Sequence, residues 1–106
     1  MNSKILTLLG FCSKAGKMSY GMDASVESLK RFKSNLVVVA SDVSQKSLKE
    51  ITFNAEKVKV KVTVLGDTNI DTLSHAVGRK CGILSVNDKG FAEAIEKEIF
   101  SENIGK

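Results

Sequence analysis

The segment SKAGKMSYGMDASVESLKR, residues 13–31, brings two glycines and four basic side chains together, a combination that can hold a phosphate. Lys17 follows Gly16 directly, as the lysine follows the glycine in a phosphate-binding loop. That loop needs four residues between its glycines and a Ser or Thr after the lysine, whereas here five residues separate Gly10 from Gly16 and Met18 follows Lys17. The stretch also reads as the end of a helix rather than its start. The pattern therefore argues against nucleotide hydrolysis.

Side chains that could act as a nucleophile, a base or a metal ligand are few and scattered. His75 is the only histidine, and Cys12 and Cys81 lie far apart without a CxxC pair. The apolar neighbours of both cysteines predict free, buried thiols in a reducing compartment. No two carboxylates share apolar surroundings that would separate their pKa values. We expect no enzyme, no metal site, no cofactor and no small-molecule substrate.

The start of the second predicted helix is a better candidate for binding. A helix N-terminus presents unpaired amide groups and the positive end of the helix dipole, and Gly21 directly before it would let a nucleic-acid backbone approach closely. The basic residues expected to surround it are Lys14, Lys17, Lys30 and Arg31. The alternative is that Gly21 only makes the turn and the lysines only keep the surface soluble.

The charge of the chain is unevenly distributed. Residues 1–61 carry eleven Lys/Arg against five Asp/Glu, and the remainder carries five against seven. This asymmetry favours a basic face for a polyanion, although a solvated lysine-rich surface would give the same counts. Tyr20 is the one aromatic ring expected to be exposed, because the phenylalanines fall on predicted core stripes. Recognition is therefore expected through backbone and helix-end contacts rather than stacking.

Hydrophobic periodicity predicts helices and strands that alternate along the chain. The first helix should end at Gly16, and the second should span residues 22–33 with Phe32 inward. Strands are predicted in KMSY, NLVVVASD, KVKVKVTVLG and CGILSVND. Expected caps are Asp42 or Ser44 for the third helix, Thr68 or Asn69 for the fourth, with Gly78 as its stop, and Asn87 or Asp88 for the fifth.

This alternation predicts an α/β fold, a three-layer α/β/α sandwich with a mixed, partly parallel central sheet. The chain contains no proline, no repeat and no low-complexity stretch, so residues 1–106 are expected to form a single domain. No apolar run approaches the ~20 residues that cross a bilayer, and the N-terminus lacks a secretory pattern. We expect a cytoplasmic monomer without a membrane partner.

Four motifs in this order resemble one known family. They are LLGFCSKAGKMSYGMDASVESLKR, NLVVVASD, HAVGRK and LSVNDKGFAEAI, and together they cover nearly the whole chain. They are similar to the L7Ae/L30e superfamily of ribosomal proteins, in particular to its small bacterial members of the YlxQ type. The resemblance implies a three-layer α/β/α fold. In many members it also implies binding of kink-turn RNA, a sharply bent duplex with tandem sheared G·A pairs.

The resemblance also implies a contact surface. It comprises the start of the second helix, the turn before the first strand and the loop after the third strand, with Val86 and Asn87 near its edge. The implied RNA-binding residues are Lys14, Lys17, Gly21, Met22, Asp23, Ala24, Glu27, Lys30, Arg31, Gly66, Asp67, Thr68, Asn69 and Ile70.

This chain departs from the kink-turn readers of the family in the second helix. Such readers typically carry Asn-Glu and then a lysine where this chain has Asp23, Ala24 and Glu27. Ionised Asp only accepts hydrogen bonds, Ala reads nothing, and Glu27 reverses a phosphate-facing charge. We expect non-enzymatic, ribosome-associated binding of structured RNA, with kink-turn specificity as the narrower hypothesis. The alternative is a protein-interaction adaptor that has lost specific RNA recognition.

Overall fold

The computed structural model describes residues 3–104, and its helices and strands alternate as the periodicity predicts. In chain order the elements are α1 (Ser3–Lys14), β1 (Met18–Tyr20), α2 (Met22–Lys30), β2 (Leu36–Ala40), α3 (Gln45–Lys57), β3 (Val62–Leu65), α4 (Ile70–Val77), β4 (Ile83–Val86) and α5 (Lys89–Ile104).

The four strands form one mixed sheet with the order β1-β4-β2-β3. β4 is antiparallel to both of its neighbours, and β3 is parallel to β2. β1, β2 and β3 therefore point the same way, and α2, α3 and α4 begin beyond their ends, at an edge that we call the helix-start edge. Because α2 and α3 must return to the starts of β2 and β3, they finish at the opposite edge. We call residues 30–33 and 57–61 the helix-end edge.

Each face of the sheet packs against its own layer of helices. Leu36, Val38 and Leu84 share a buried cluster with residues of α1, α4 and α5. Val37, Val39 and Ile83 point to the other face, where they pack against α2 and α3. Every residue of β2 is buried, as expected for a strand covered on both faces. The predicted three-layer α/β/α sandwich is confirmed.

Local capping chemistry sets several helix boundaries, as predicted. The observed caps are Ser44 for α3, Asn69 for α4, Asp88 for α5, and Gly78 in the left-handed conformation after α4. Asp42 has a different role, because its Oδ1 accepts a hydrogen bond from the backbone N–H of Ile70 at 2.8 Å. This bond joins the loop after β2 to the start of α4.

The sequence-based placement of the phenylalanines is wrong for four of the five. α2 ends at Lys30 instead of continuing to residue 33, so Phe32 leaves the helical stripe and is 81% exposed. Phe11, Phe53 and Phe100 are exposed as well, and Tyr20 is half-buried instead of exposed. β3 also begins later than predicted, at Val62, because the chain before it completes the end of α3.

The two cysteines are free and buried, as predicted. Burial, with a smaller contribution from the charge of Asp88, raises the pKa of the Cys12 thiol to about 11. Burial also raises the pKa of Cys81. Both side chains are therefore protonated, unreactive thiols at neutral pH. Across residues 3–104, no helix has the length and apolar character needed to cross a membrane.

Candidate nucleic-acid interface

The start of α2 is shaped by Gly21, which is the N-cap and has φ 89° and ψ 171°. Only glycine adopts this backbone region without strain. The Gly21 N–H donates to the carbonyl of Ile83 at 2.7 Å, and its own carbonyl accepts from the Ser25 N–H. No side chain caps the helix. The amides of residues 22–24 therefore lie free at a positive helix end, with open space in front of Gly21.

A polar seam beneath α2 holds this helix against the sheet. Asn87 is its centre: its Oδ1 accepts hydrogen bonds from the hydroxyls of Ser28 and Ser85, both at 2.6 Å, and its Nδ2 donates to Ser19 at 2.9 Å. α2 is thereby tied to β1 and β4, which restrains its direction. The seam lies at the end of β4 remote from Gly21, and Val86 is fully buried. The Asn87 N–H donates to the Lys17 carbonyl at 2.8 Å, so Asn87 borders the turn before β1, which belongs to the predicted contact surface, and not the start of α2. A role of Val86 and Asn87 in RNA binding stays a prediction.

At the helix-start edge, four chain segments meet in one open groove. Gly21 and Met22 face Ile70, the first residue of α4, and the groove also includes Asp42 and Gly82. The positive ends of α2, α3 and α4 lie on this edge because all three helices follow parallel strands. The groove can therefore attract an anion, although the Asp42 carboxylate opposes one locally.

The connector between α4 and β4 adds two cations that sequence reasoning missed. The guanidinium of Arg79 stacks 4.4 Å from the centre of the Tyr20 ring, and Lys80 beside it is exposed. The Tyr20 hydroxyl lies 2.5 Å from Ser13 Oγ, which itself donates to the Val77 carbonyl at 2.7 Å. Arg79 thus has a defined position against Tyr20, the residue that precedes Gly21.

The pairing of β1 with β4 explains why this contact was missed. It places Tyr20 opposite Leu84 and Gly21 next to Ile83, a few residues after Arg79. Pairing between segments so distant in sequence leaves no local pattern. The one available signal was the Arg-Lys pair directly after the helix stop Gly78.

The predicted residues within α2 are divided between its two ends. Met22 is half-buried, whereas Asp23 and Ala24 are exposed in the first turn. Glu27 lies one turn further, with its carboxylate 2.5 Å from the guanidinium of Arg31. The hydrogen bond from Arg31, helped by its charge, lowers the pKa of Glu27. In the first two turns, the side chains that could face a base edge are therefore two carboxylates and the methyl group of Ala24.

The four basic residues expected around Gly21 do not surround it. Lys30 and Arg31 lie at the other end of α2, about 13 Å away for a nine-residue helix. Lys17 precedes β1, and this three-residue strand separates it from Gly21 by four residue steps, about 13 Å. Lys14 is exposed at the end of α1. The cations at the same edge as the start of α2 include Arg79, Lys80 and also Lys46, which lies in the first turn of α3.

The loop of residues 66–70 is also divided. Ile70 borders the groove with Gly21, and the Asn69 side chain caps α4. Gly66, Asp67 and Thr68 instead line a separate cavity on the side of α1 and α5. Thr68 is buried, and its carbonyl accepts from the Ser41 N–H at 2.8 Å. Its side chain therefore supports the loop and is not available to a ligand.

No catalytic or metal-binding cluster accompanies this edge in the part of the chain that the structure describes. Residues 3–104 contain no group of three His, Cys, Asp or Glu side chains that could hold a metal ion. His75 is largely exposed on α4 and lies near Asp71 in the same helix. Its Nδ1 is 2.9 Å from the Asp71 carbonyl, an ordinary helix-surface contact.

The three-layer sandwich with its glycine-led, uncapped helix start defines a small α/β protein. The chain belongs to the ribosomal protein L7Ae/L30e/S12e/Gadd45 family, whose model matches residues 3–96. The resemblance inferred from the sequence motifs is thereby confirmed.

Individual relatives support the same assignment. The chain is 29% identical over 89 residues to large ribosomal subunit protein eL30 of Candida glabrata. The aligned region covers 82% of this chain and 84% of that protein. It is 23% identical over 96 residues to the RNA-binding protein YlxQ of Enterococcus faecium, with 91% of each chain covered. The structure of a Bacillus halodurans protein of unknown function has a TM-score of 0.84 at 25% identity, covering 91% of this chain and 96% of that one.

Proposed function

We propose that this protein binds structured RNA through its helix-start edge and catalyses no reaction. The observation that carries the proposal is the uncapped, glycine-led start of α2 with Arg79 and Lys80 beside it. Family membership and the names of eL30 and YlxQ, one ribosomal and one RNA-binding, support the same class of ligand. We expect the protein to act in the cytoplasm and to associate with ribosomes.

In this proposal the backbone does most of the recognition. The free amides of residues 22–24 donate hydrogen bonds to phosphate oxygens or to base-edge acceptors. Arg79 offers a planar guanidinium, held by Tyr20, for bidentate contact with a phosphate or a guanine edge, and Lys80 supplies a point charge. Regular A-form RNA has a deep, narrow major groove, so the start of a helix needs a locally opened groove.

A kink-turn is the specific ligand that we propose, because its sharp bend opens such a groove. Asp23 and Ala24 supply no base-edge donor from their side chains, which leaves the amides and Arg79 to discriminate. We therefore expect the protein to prefer a kink-turn over a regular duplex by a smaller margin than an Asn-Glu reader would.

The test is to measure binding to a kink-turn RNA and to the same RNA with its G·A pairs replaced by Watson-Crick pairs, over a range of salt. The proposal predicts tighter binding of the kink-turn at every salt concentration, and affinity for both RNAs should fall as salt rises. If the two RNAs bind with equal affinity and a steep salt dependence, the protein makes a general contact between lysines and RNA and does not recognise the kink-turn.

A protein-interaction adaptor is the second candidate. It is favoured by the exposed rings of Phe11 and Phe100, which belong to the layer of α1 and α5 and not to the basic edges. Absence of binding to either RNA would favour the adaptor over the RNA-binding protein.

A further inference from the structure

The ends of α2 and α3 share a common backbone arrangement in which an uncommon residue takes the place of glycine. Each ends in a Schellman motif, in which two backbone N–H groups beyond the helix bond back to carbonyls in its last turn. The bonds are Phe32 N–H to Leu29 at 3.1 Å and Lys33 N–H to Ser28 at 3.0 Å in α2, and Lys59 N–H to Glu56 at 3.2 Å and Val60 N–H to Ala55 at 3.0 Å in α3. The motif requires one residue in the left-handed conformation, and that residue is Phe32 in α2 and Lys59 in α3, with φ 59° and 60°.

Glycine is the usual residue at this position because it lacks the Cβ that makes a left-handed backbone costly. α1 and α4 follow the rule, since Gly16 after α1 has φ 73° and Gly78 after α4 has φ 79°. Phe32 and Lys59 are the non-glycine residues with positive φ within residues 3–104. Their side chains are therefore kept at a conformational cost.

Packing does not compensate for that cost. Phe32 is 81% exposed, so its ring gains little from burial, and Lys59 is exposed as well. An exposed phenylalanine at a position that favours glycine lowers the stability in two ways. Its backbone is strained, and its apolar ring is exposed to water. A residue that costs stability without packing is a candidate for function.

The surroundings of Phe32 are strongly basic. Residues 30–33 and 57–61 contain no carboxylate and six cations, namely Lys30, Arg31, Lys33, Lys57, Lys59 and Lys61. The two segments lie side by side because β2 and β3 pair in parallel, and the Val37 N–H donates to the Lys61 carbonyl at 3.0 Å. The neighbouring carboxylates are Glu27, which is paired with Arg31, and Glu56.

A second exposed ring adjoins this edge. Phe53 is 61% exposed on α3, and the ammonium of Lys57 lies 4.4 Å from its centre. Exposed aromatic rings among lysines are the usual composition of a surface for single-stranded nucleic acid, where bases stack on rings while cations follow the phosphates.

We infer that the helix-end edge is a second RNA-contacting surface, which binds unpaired nucleotides by stacking a base on Phe32 while the neighbouring lysines hold the phosphates. Unpaired nucleotides are specified because a base within a duplex has both faces covered by its neighbours. This inference goes beyond the proposed function, since the surface lies at the opposite end of α2 from Gly21 and requires no kink-turn.

The decisive variant is Phe32→Gly, which removes the ring and relieves the backbone at the same time. It should raise the melting temperature while weakening the binding of a short single-stranded oligouridylate at least about fivefold. The same oligomer without its bases should bind the wild type as weakly as the complete oligomer binds the variant. Phe100→Ala, which removes an exposed ring from α5, is the matched control and should leave the affinity unchanged.

The inference is overturned if Phe32→Gly binds the oligouridylate as tightly as the wild type does. It is overturned as well if the wild type binds the abasic oligomer as tightly as the complete oligomer. It is also overturned if the wild type does not bind the oligouridylate. Binding of the kink-turn RNA is measured in parallel, and it should be unaffected by Phe32→Gly. If the wild type binds the oligouridylate and does not bind the kink-turn RNA, the proposed function is wrong and the inference about the helix-end edge stands.

Discussion

At the start of α2, the side chains of Asp23 and Glu27 carry negative charge towards the region where we place the RNA. Asp23 lies in the first turn, and Glu27 is exposed and paired with Arg31. Carboxylates at these positions repel phosphate. Asp23 also lacks the donor with which Asn reads a base edge.

The double variant Asp23→Asn, Glu27→Lys should therefore bind a kink-turn RNA at least about fivefold more tightly. The gain should come from one base-edge donor and from a reversed charge, and it should be larger for the kink-turn than for its Watson-Crick counterpart. Equilibrium titration measures both affinities. The matched control is Glu96→Gln with Glu93→Lys, an equal charge change placed entirely on α5. If the two double variants gain equally, overall charge is responsible and our placement of α2 on the RNA is wrong.

The sequence could identify part of this site and not the rest. Gly21 was predicted because a glycine before a helical pattern is a local signal. Arg79 and Tyr20 were not connected, because their contact depends on strand pairing across more than half of the chain. The reverse error affected Lys17 and Lys30, which are close to Gly21 in sequence but lie one strand or one helix length away from it.

The start of α2 depends on one glycine. Gly21 has φ 89° and ψ 171°, and a Cβ placed there meets no atom within 4 Å, so the obstacle to substitution is the backbone and not space. Gly16 is a matched case, with φ 73° and equally open surroundings. The left-handed region at Gly16 is tolerated by other residues better than the region at Gly21.

Gly21→Ala should thus reduce the free energy of unfolding by about 1–3 kcal/mol and weaken RNA binding, because α2 can no longer begin in the same direction. Gly16→Ala should cost about 1 kcal/mol and leave RNA binding intact. Chemical denaturation and RNA titration on both variants provide the comparison. Equal losses of RNA affinity would show that stability, and not the start of α2, controls binding.

The elements themselves were largely predictable, because each is encoded by apolar spacing and by caps such as Ser44 and Asn69. Prediction failed at the end of α2, where Phe32 continues the apolar spacing although the helix stops at Lys30. No glycine marks that stop, so the usual signal was missing. The order of the strands, which creates the two edges, depends on contacts distant in sequence and was not predicted.

Across the whole molecule, charge is sorted by layer and by edge. Arg79 and Lys80 lie at the helix-start edge, the helix-end edge carries six cations, and α5 carries Glu93, Glu96 and Glu98. If RNA occupies the helix-start edge, only cations on that edge release counterions from it. The salt dependence of binding therefore reports where the RNA lies.

Replacing both Arg79 and Lys80 with Gln should flatten the plot of log affinity against log salt by about 1–2 units, since each phosphate contact contributes about 0.7–0.9. The same change in net charge on α5, Lys89→Gln with Lys97→Gln, should leave the slope unchanged. Titration of the kink-turn RNA at several salt concentrations gives both slopes. If both pairs of substitutions change the slope equally, the RNA does not bind at the helix-start edge.

The stack of Arg79 on Tyr20 has a spectroscopic consequence. The chain contains one tyrosine and no tryptophan. Apart from the weak emission of its phenylalanines, its intrinsic fluorescence therefore comes from the Tyr20 ring. That ring lies under a cation at the helix-start edge and is half-buried. Any ligand that pulls Arg79 away changes the surroundings of the only strong emitter in the molecule. The protein therefore carries a natural optical probe at this edge, readable without a label.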